Sequence, residues 1–104
     1  MKVYIITETN EQSPCSIFTL SHVLMVFGQQ ERAQGQLEKI KDKICNGGWY
    51  MDKNSQPLYG EVLSDYTHKD NLMGILRDVQ VKSPNGIRTI YRLIEKEVNG
   101  GFFL

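Results

Sequence analysis

The chain has 104 residues, the length of one ordinary domain. It reads as a single compact domain over residues 1–104, with residues 100–104 a flexible or docking tail. Hydrophobic residues make up 40% and charged residues 23%, which is too apolar for a disordered chain. Lys+Arg and Asp+Glu each number 12, so no net field draws the chain toward a polyanion, and nucleic acid starts as a disfavoured partner.

The opening Met1-Lys2-Val3-Tyr4-Ile5-Ile6-Thr7-Glu8 enters strand-like sequence at once. It lacks the apolar stretch and small-residue cleavage site of a signal peptide. The longest apolar run, residues 23–27, is far shorter than the ~20 residues a membrane helix needs, so no membrane partner is expected. Cys15 and Cys45 are the only cysteines, which makes no disulfide framework and points to a reduced, cytoplasmic setting.

Residues 3–7 are rich in β-branched and aromatic side chains, which fit a pleated surface. Thr9-Asn10-Glu11-Gln12-Ser13-Pro14 is expected to break that strand with turn formers. Residues 22–27 form a second strand; both of its faces are largely apolar, so it reads as an interior strand. A helix follows over residues 30–45, with Ala33, Leu37, Ile40 and Ile44 at helical spacing on one side. Glu31 has the favourable sign for the helix start. Asn46-Gly47-Gly48 supplies a stop, because Asn and Gly accept a left-handed cap.

Trp49-Tyr50-Met51 is interrupted by Asp52-Lys53-Asn54-Ser55-Gln56-Pro57. Residues 58–66 fit either an irregular strand or a loop docked on the core, and residues 68–76 either a short second helix or the start of a strand. Val79-Gln80-Val81 and residues 87–93 then read as two strands joined at Ser83-Pro84-Asn85-Gly86, where Pro84 fixes one turn dihedral and Asn85-Gly86 tolerate positive φ. A helix ending at Asn99-Gly100-Gly101 competes for this last segment, but Tyr91 and the β-branched Ile87, Thr89 and Ile90 favour strand. The fold class is therefore α+β: a small, mostly antiparallel sheet packed against one principal helix, with room for a short second helix.

No constellation points to catalysis. His22 and His68 lie in unrelated contexts, and Cys15 and Cys45 lack redox spacing. Asp65 and Asp70 beside His68 come nearest to an acid-base patch, but Ser64 and Thr67 supply no nucleophile elbow. Glu61, Asp65, Asp70 and Asp78 match no calcium loop, and Gly28, Gly35, Gly47 and Gly48 form no phosphate-binding motif. The expectation is a non-enzymatic protein with no cofactor and no metal.

Two surfaces remain as binding candidates. Trp49, Tyr50, Tyr59 and Tyr66, with Phe102 and Phe103 of the tail, are residue types that anchor protein interfaces. If the last segment is β, Arg88, Arg92 and Lys96 share one face alongside Ile90, Ile94 and Val98, with Lys82 on the preceding strand, a mixed basic-apolar face suited to an acidic protein or a nucleic-acid backbone. The leading expectation is an accessory or regulatory protein that binds another protein or a second copy of itself; the alternative is a small nucleic-acid-binding regulator using the basic strand face.

Val3-Tyr4-Ile5-Ile6-Thr7-Glu8, Val26-Phe27-Gly28, Glu31-Arg32-Ala33 and the Tyr91-containing strand together resemble short uncharacterised proteins of phage and bacterial genomes. In those proteins an opening strand, a Val-Phe strand end and a following helix form a compact α+β unit. The resemblance covers roughly the first 45 residues and the last 20; it implies an accessory role in phage-host or mobile-element biology and carries over no site residue.

Overall fold

The structure, a computed structural model, describes residues 1–12, 17–18, 22–47, 50–69 and 72–98. Its elements in chain order are strands β1 (Lys2–Gln12), β2 (Ile17–Phe18) and β3 (His22–Phe27), helix α1 (Gln30–Asn46), and strands β4 (Tyr50–Met51), β5 (Pro57–Leu58), β6 (Glu61–Thr67), β7 (Ile75–Lys82) and β8 (Arg88–Glu97). The main sheet runs β2-β1-β8-β7-β6 and is antiparallel throughout, with β3 also paired to β1. Because β8 occupies one side of β1 from Lys2 to Glu11, β2 and β3 share the other side. The strands β4 and β5 form a separate small ribbon. This is an α+β fold with one helix.

The last segment is strand, as its β-branched content suggested. Its hairpin with β7 closes through Ser83 N–H donating to the Ile87 carbonyl at 2.9 Å and Gly86 N–H donating to the Ser83 carbonyl at 2.8 Å. Gly86 sits at φ 89, a conformation its missing Cβ permits. The second helix is absent among the described residues. Leu72–Gly74 makes only one tight turn, which Met73 breaks at φ 62.

The helix packs its expected stripe on one face of the sheet. Ala33, Leu37 and Ile44 join Ile6, Leu76, Val79, Val81, Tyr91 and Leu93 in the core, while Ile40 is only partly buried against it. The stop at Asn46 is where the sequence places it, but Gly47 is right-handed at φ −81, so the left-handed cap is not used there.

Two expectations need correction. The turn formers after Thr7 do not end β1, which stays in register with β8 as far as Glu11 opposite Arg88. The Thr89 hydroxyl donates to Asn10 Oδ1 at 2.7 Å, so a long partner strand overrides local turn preference. More consequentially, β3 is not an interior strand. Among the described residues its only strand partner is β1, which leaves it at the sheet edge.

Candidate functional site

With α1 covering one face of the sheet, the residues that alternate away from it form the opposite face. On β8 the buried Thr89, Tyr91 and Leu93 point under the helix, which puts Arg88, Ile90, Arg92, Ile94 and Lys96 on the other side. Cross-strand register then assigns their neighbours. Ile94 lies opposite Ile5 of β1 and Ile75 of β7, and Ile5 lies opposite Val26 of β3. Val26, Ile5, Ile94 and Ile75 thus form an aliphatic row across four adjacent strands. Val3, opposite Lys96, and Val23, opposite Thr7, extend it to either side. Val23 and Val26 are 58% and 57% exposed, and Ile5, Ile75 and Ile94 are half-buried.

Toward β6 the same face becomes polar. Arg92 Nε donates to Asp78 Oδ1 at 2.7 Å, and His68 Nε2 lies 2.9 Å from Asp78 Oδ2. The Tyr66 ring meets His68 edge-on, with centroids 4.7 Å apart. Burial pushes the Asp78 carboxyl toward its neutral form, but hydrogen bonds from Arg92 and His68 outweigh it and hold the group below its ordinary range. The histidine therefore pairs with Asp78 and not with the neighbour Asp65 that sequence proximity suggested, while Asp70 lies outside the described residues.

Asp65 belongs to the opposite, helix-covered face. There Arg77 Nε and Nη2 donate to its two carboxylate oxygens at 2.8 and 2.6 Å, while Nη1 reaches Gln34 Oε1 at 2.8 Å and Nη2 also reaches Glu38. Lys41 Nζ adds a bond to Asp65 Oδ2 at 2.7 Å. The Arg77 hydrogen bonds hold the Asp65 carboxyl far below the usual carboxylate range, and Asp65 in turn raises Arg77. This cluster ties α1 to β6 and β7, so its charges are occupied in the fold. Among the described residues no group of three His, Cys, Asp or Glu side chains could hold a metal ion. Desolvation pushes the Cys45 thiol up, away from a reactive thiolate.

The candidate basic face is real as an alignment but not as a cluster. Arg88, Arg92 and Lys96 share the uncovered face with Lys82, which lies opposite Arg88. Register places Glu11 on the far side of Arg88 and Glu61 on the far side of Lys82, so acidic positions flank that pair. Arg92 is neutralised by Asp78, and Lys96 stands beyond Ile94.

Of the aromatic candidates, Tyr59 and Tyr66 are 53% and 60% exposed, Tyr59 just before β6 and Tyr66 near its end. Tyr50 lies in β4; Trp49, Phe102 and Phe103 lie outside the described residues. The sequence placed Ile90 and Ile94 on a mixed basic-apolar face of the last strand but not the continuation of that face through Ile5, Val26 and Ile75, which depends on cross-strand register. Comparison with protein-family models, curated proteins and solved structures finds no match.

Proposed function

We propose that the protein is a non-enzymatic accessory protein of the cytoplasm that acts by binding another protein through the uncovered face of its sheet. The observation that carries this reading is the aliphatic row Val26–Ile5–Ile94–Ile75, which no described element covers. A half-exposed apolar row across adjacent strands is stabilised by contact with another apolar surface, which removes it from water. The ionic group Arg92–Asp78–His68 lies beside it and supplies the polar rim common to protein interfaces.

The test is affinity capture from host lysate with the wild-type chain and with the double variant Ile5→Thr/Ile94→Thr, which retains β-branched side chains while shedding apolar area. Both proteins are first checked for the same thermal melt. A protein retained by the wild type and lost by the variant supports the reading. Recovery of nucleic acid that weakens with salt and with Lys82→Glu/Arg88→Glu would reverse it in favour of the basic strand face.

A further inference from the structure

The strand β3 has the composition of an interior strand and the position of an edge. Its residues His22-Val23-Leu24-Met25-Val26-Phe27 carry no Lys, Asp, Glu or Pro, the side chains that commonly guard an exposed sheet edge. Val23, Leu24, Met25 and Val26 are 58%, 36%, 40% and 57% exposed. The opposite edge, β6, carries Glu61 and Asp65. We infer that β3 is a self-association strand, and that a second copy of this chain pairs with it antiparallel to continue the sheet across a two-fold axis. This goes beyond the protein-binding reading above: it concerns the edge of β3 and not the open face of the sheet.

The irregularity within β3 is what makes the strand self-complementary. Its register with β1 shifts between Ile6 and Thr7, where Met25 lies opposite Ile6, Val23 opposite Thr7, and Leu24 is the extra residue. His22 and Phe27 lie opposite Glu8 and Tyr4 and so share the helix side, while Val23 and Val26 share the uncovered side with Thr7 and Ile5. Leu24 and Met25 both line one cleft with Ile40, Ile44 and Tyr91, which puts the two of them on the helix side together. Read along the strand, the facing pattern is helix, open, helix, helix, open, helix. That order is the same in both directions.

Residues opposite one another in an antiparallel pair must point to the same face, and an axis normal to the sheet keeps each copy's faces in place. A regular strand meets that condition only about an axis through a residue. The bulged strand meets it about an axis between Leu24 and Met25. The pairing is then His22 with Phe27 of the second copy, Val23 with Val26, and Leu24 with Met25. Every other register of β3 on itself that spans the strand sets a helix-side residue against an open-face one. The shared register joins the aliphatic rows of two copies through four valines on one side. On the other, it brings Leu24 and Met25 of both copies together at the mouth of a cleft of about 260 Å³. With 12 cationic and 12 anionic residues, two copies meet without long-range repulsion.

An interface of 6 strand residues a side is small, so a reversible dimer is expected, observable at roughly tens to hundreds of micromolar. Sedimentation equilibrium of the full chain over that range should show a species of twice the 12.0 kDa chain mass. Val26→Lys should abolish it while leaving the circular dichroism unchanged, because Val26 is 57% exposed. The register is read by mixing Val23→Cys chains with Val26→Cys chains under oxidation. Opposed residues have Cβ atoms within about 5 Å, close enough for a disulfide after small adjustment. The same residue in the two copies lies about 10 Å or more apart. Cross-linked dimer should therefore form in the mixture at least several-fold faster than in either variant alone or in the wild type, which controls for Cys15 and Cys45.

A wild-type chain that stays monomeric through the range would overturn the proposal. So would a dimer that survives Val26→Lys, or one whose mixture links no faster than its single components. None of these results touches the lysate experiment, which reads the central row at Ile5 and Ile94, so failure of self-pairing and failure of protein binding are told apart.

Discussion

On β8, Tyr91 and Leu93 lie under α1 at 8% and 0% exposure, whereas Ile90 and Ile94, each one residue away, are only partly buried on the other face. The same strand therefore supplies a closed core and an open apolar surface. Charge is distributed in the same way. The Arg77 side chain is 10% exposed and bound by three acceptor residues from β6 and α1, while Arg92, at 44%, pairs only with Asp78 among the described residues. Contacts under the helix hold the fold, whereas no described element covers the apolar residues of the other face, which is the surface proposed above for binding.

Truncating matched aliphatics should give the largest contrast between the two faces. Leu37, fully buried between α1 and the sheet, should cost about 2–5 kcal/mol as Leu37→Ala, through lost transfer energy and the cavity left behind. Ile90→Ala on the open face should cost under about 1.5 kcal/mol, since its surroundings are already part solvent. Urea denaturation of both variants measures the contrast. Equal losses would mean that the uncovered face is part of the monomer's core.

The charged pairs sharpen it next. Arg77→Ala removes the hub shared by Asp65, Glu38 and Gln34 and should cost about 3 kcal/mol by the same measurement. Arg92→Ala removes one partly exposed pair and should cost about 1 kcal/mol or less. Acid should reveal a related but smaller difference. Asp65 has its folded pKa depressed below the unfolded value, so its contribution is complete above about pH 5 and declines as pH falls further. The wild-type melting temperature should accordingly be flat above about pH 5 and fall below about pH 4. Asp65→Asn should start lower and fall less steeply over the same acid range.

Much of the covered face was legible in the chain because its contacts are periodic. The stripe Ala33, Leu37 and Ile44, the turn Ser83-Pro84-Asn85-Gly86 and the β-branched final strand each carry a local signal that tertiary packing keeps. Ile40 sits at the stripe's edge, where the helix faces the cleft beside β3. The Arg77 cluster left no such trace, for its partners stand 12, 39 and 43 residues away and nothing local selects Asp65 over other carboxylates. Residues 58–66 resisted reading because β6 is exposed along its length and shifts register between Val62 and Ser64, which interrupts a period of two. The edge position of β3 was hidden for a different reason: apolar content on both faces suggested an interior strand, while pairing is set by backbone register that side-chain composition does not report. The open face was legible on β8 as a mixed basic-apolar row, with Ile90 and Ile94 between the basic positions, but its extension onto β1, β3 and β7 is set by register that no local pattern announces.

The smallest effect tests whether α1 has an unused solvent side. Gly35 lies within the helix, and a Cβ built there meets no atom within 4 Å outside its own helical surroundings. Its conformational freedom is a cost in a helix interior, and no close approach requires the missing side chain. Gly35→Ala should therefore stabilise the fold by about 0.5–1 kcal/mol and leave both the dimer and any captured partner unchanged. Gly60 provides the contrast: a Cβ there would come within 2.5 Å of the Lys82 carbonyl oxygen and 2.6 Å of Ile44, so the same substitution must displace backbone where α1 meets β7. If Gly35→Ala instead destabilised the protein or disturbed binding, the exposed side of α1 would have to be counted among the recognition surfaces, and the division of labour between the two faces of the sheet would no longer describe the molecule.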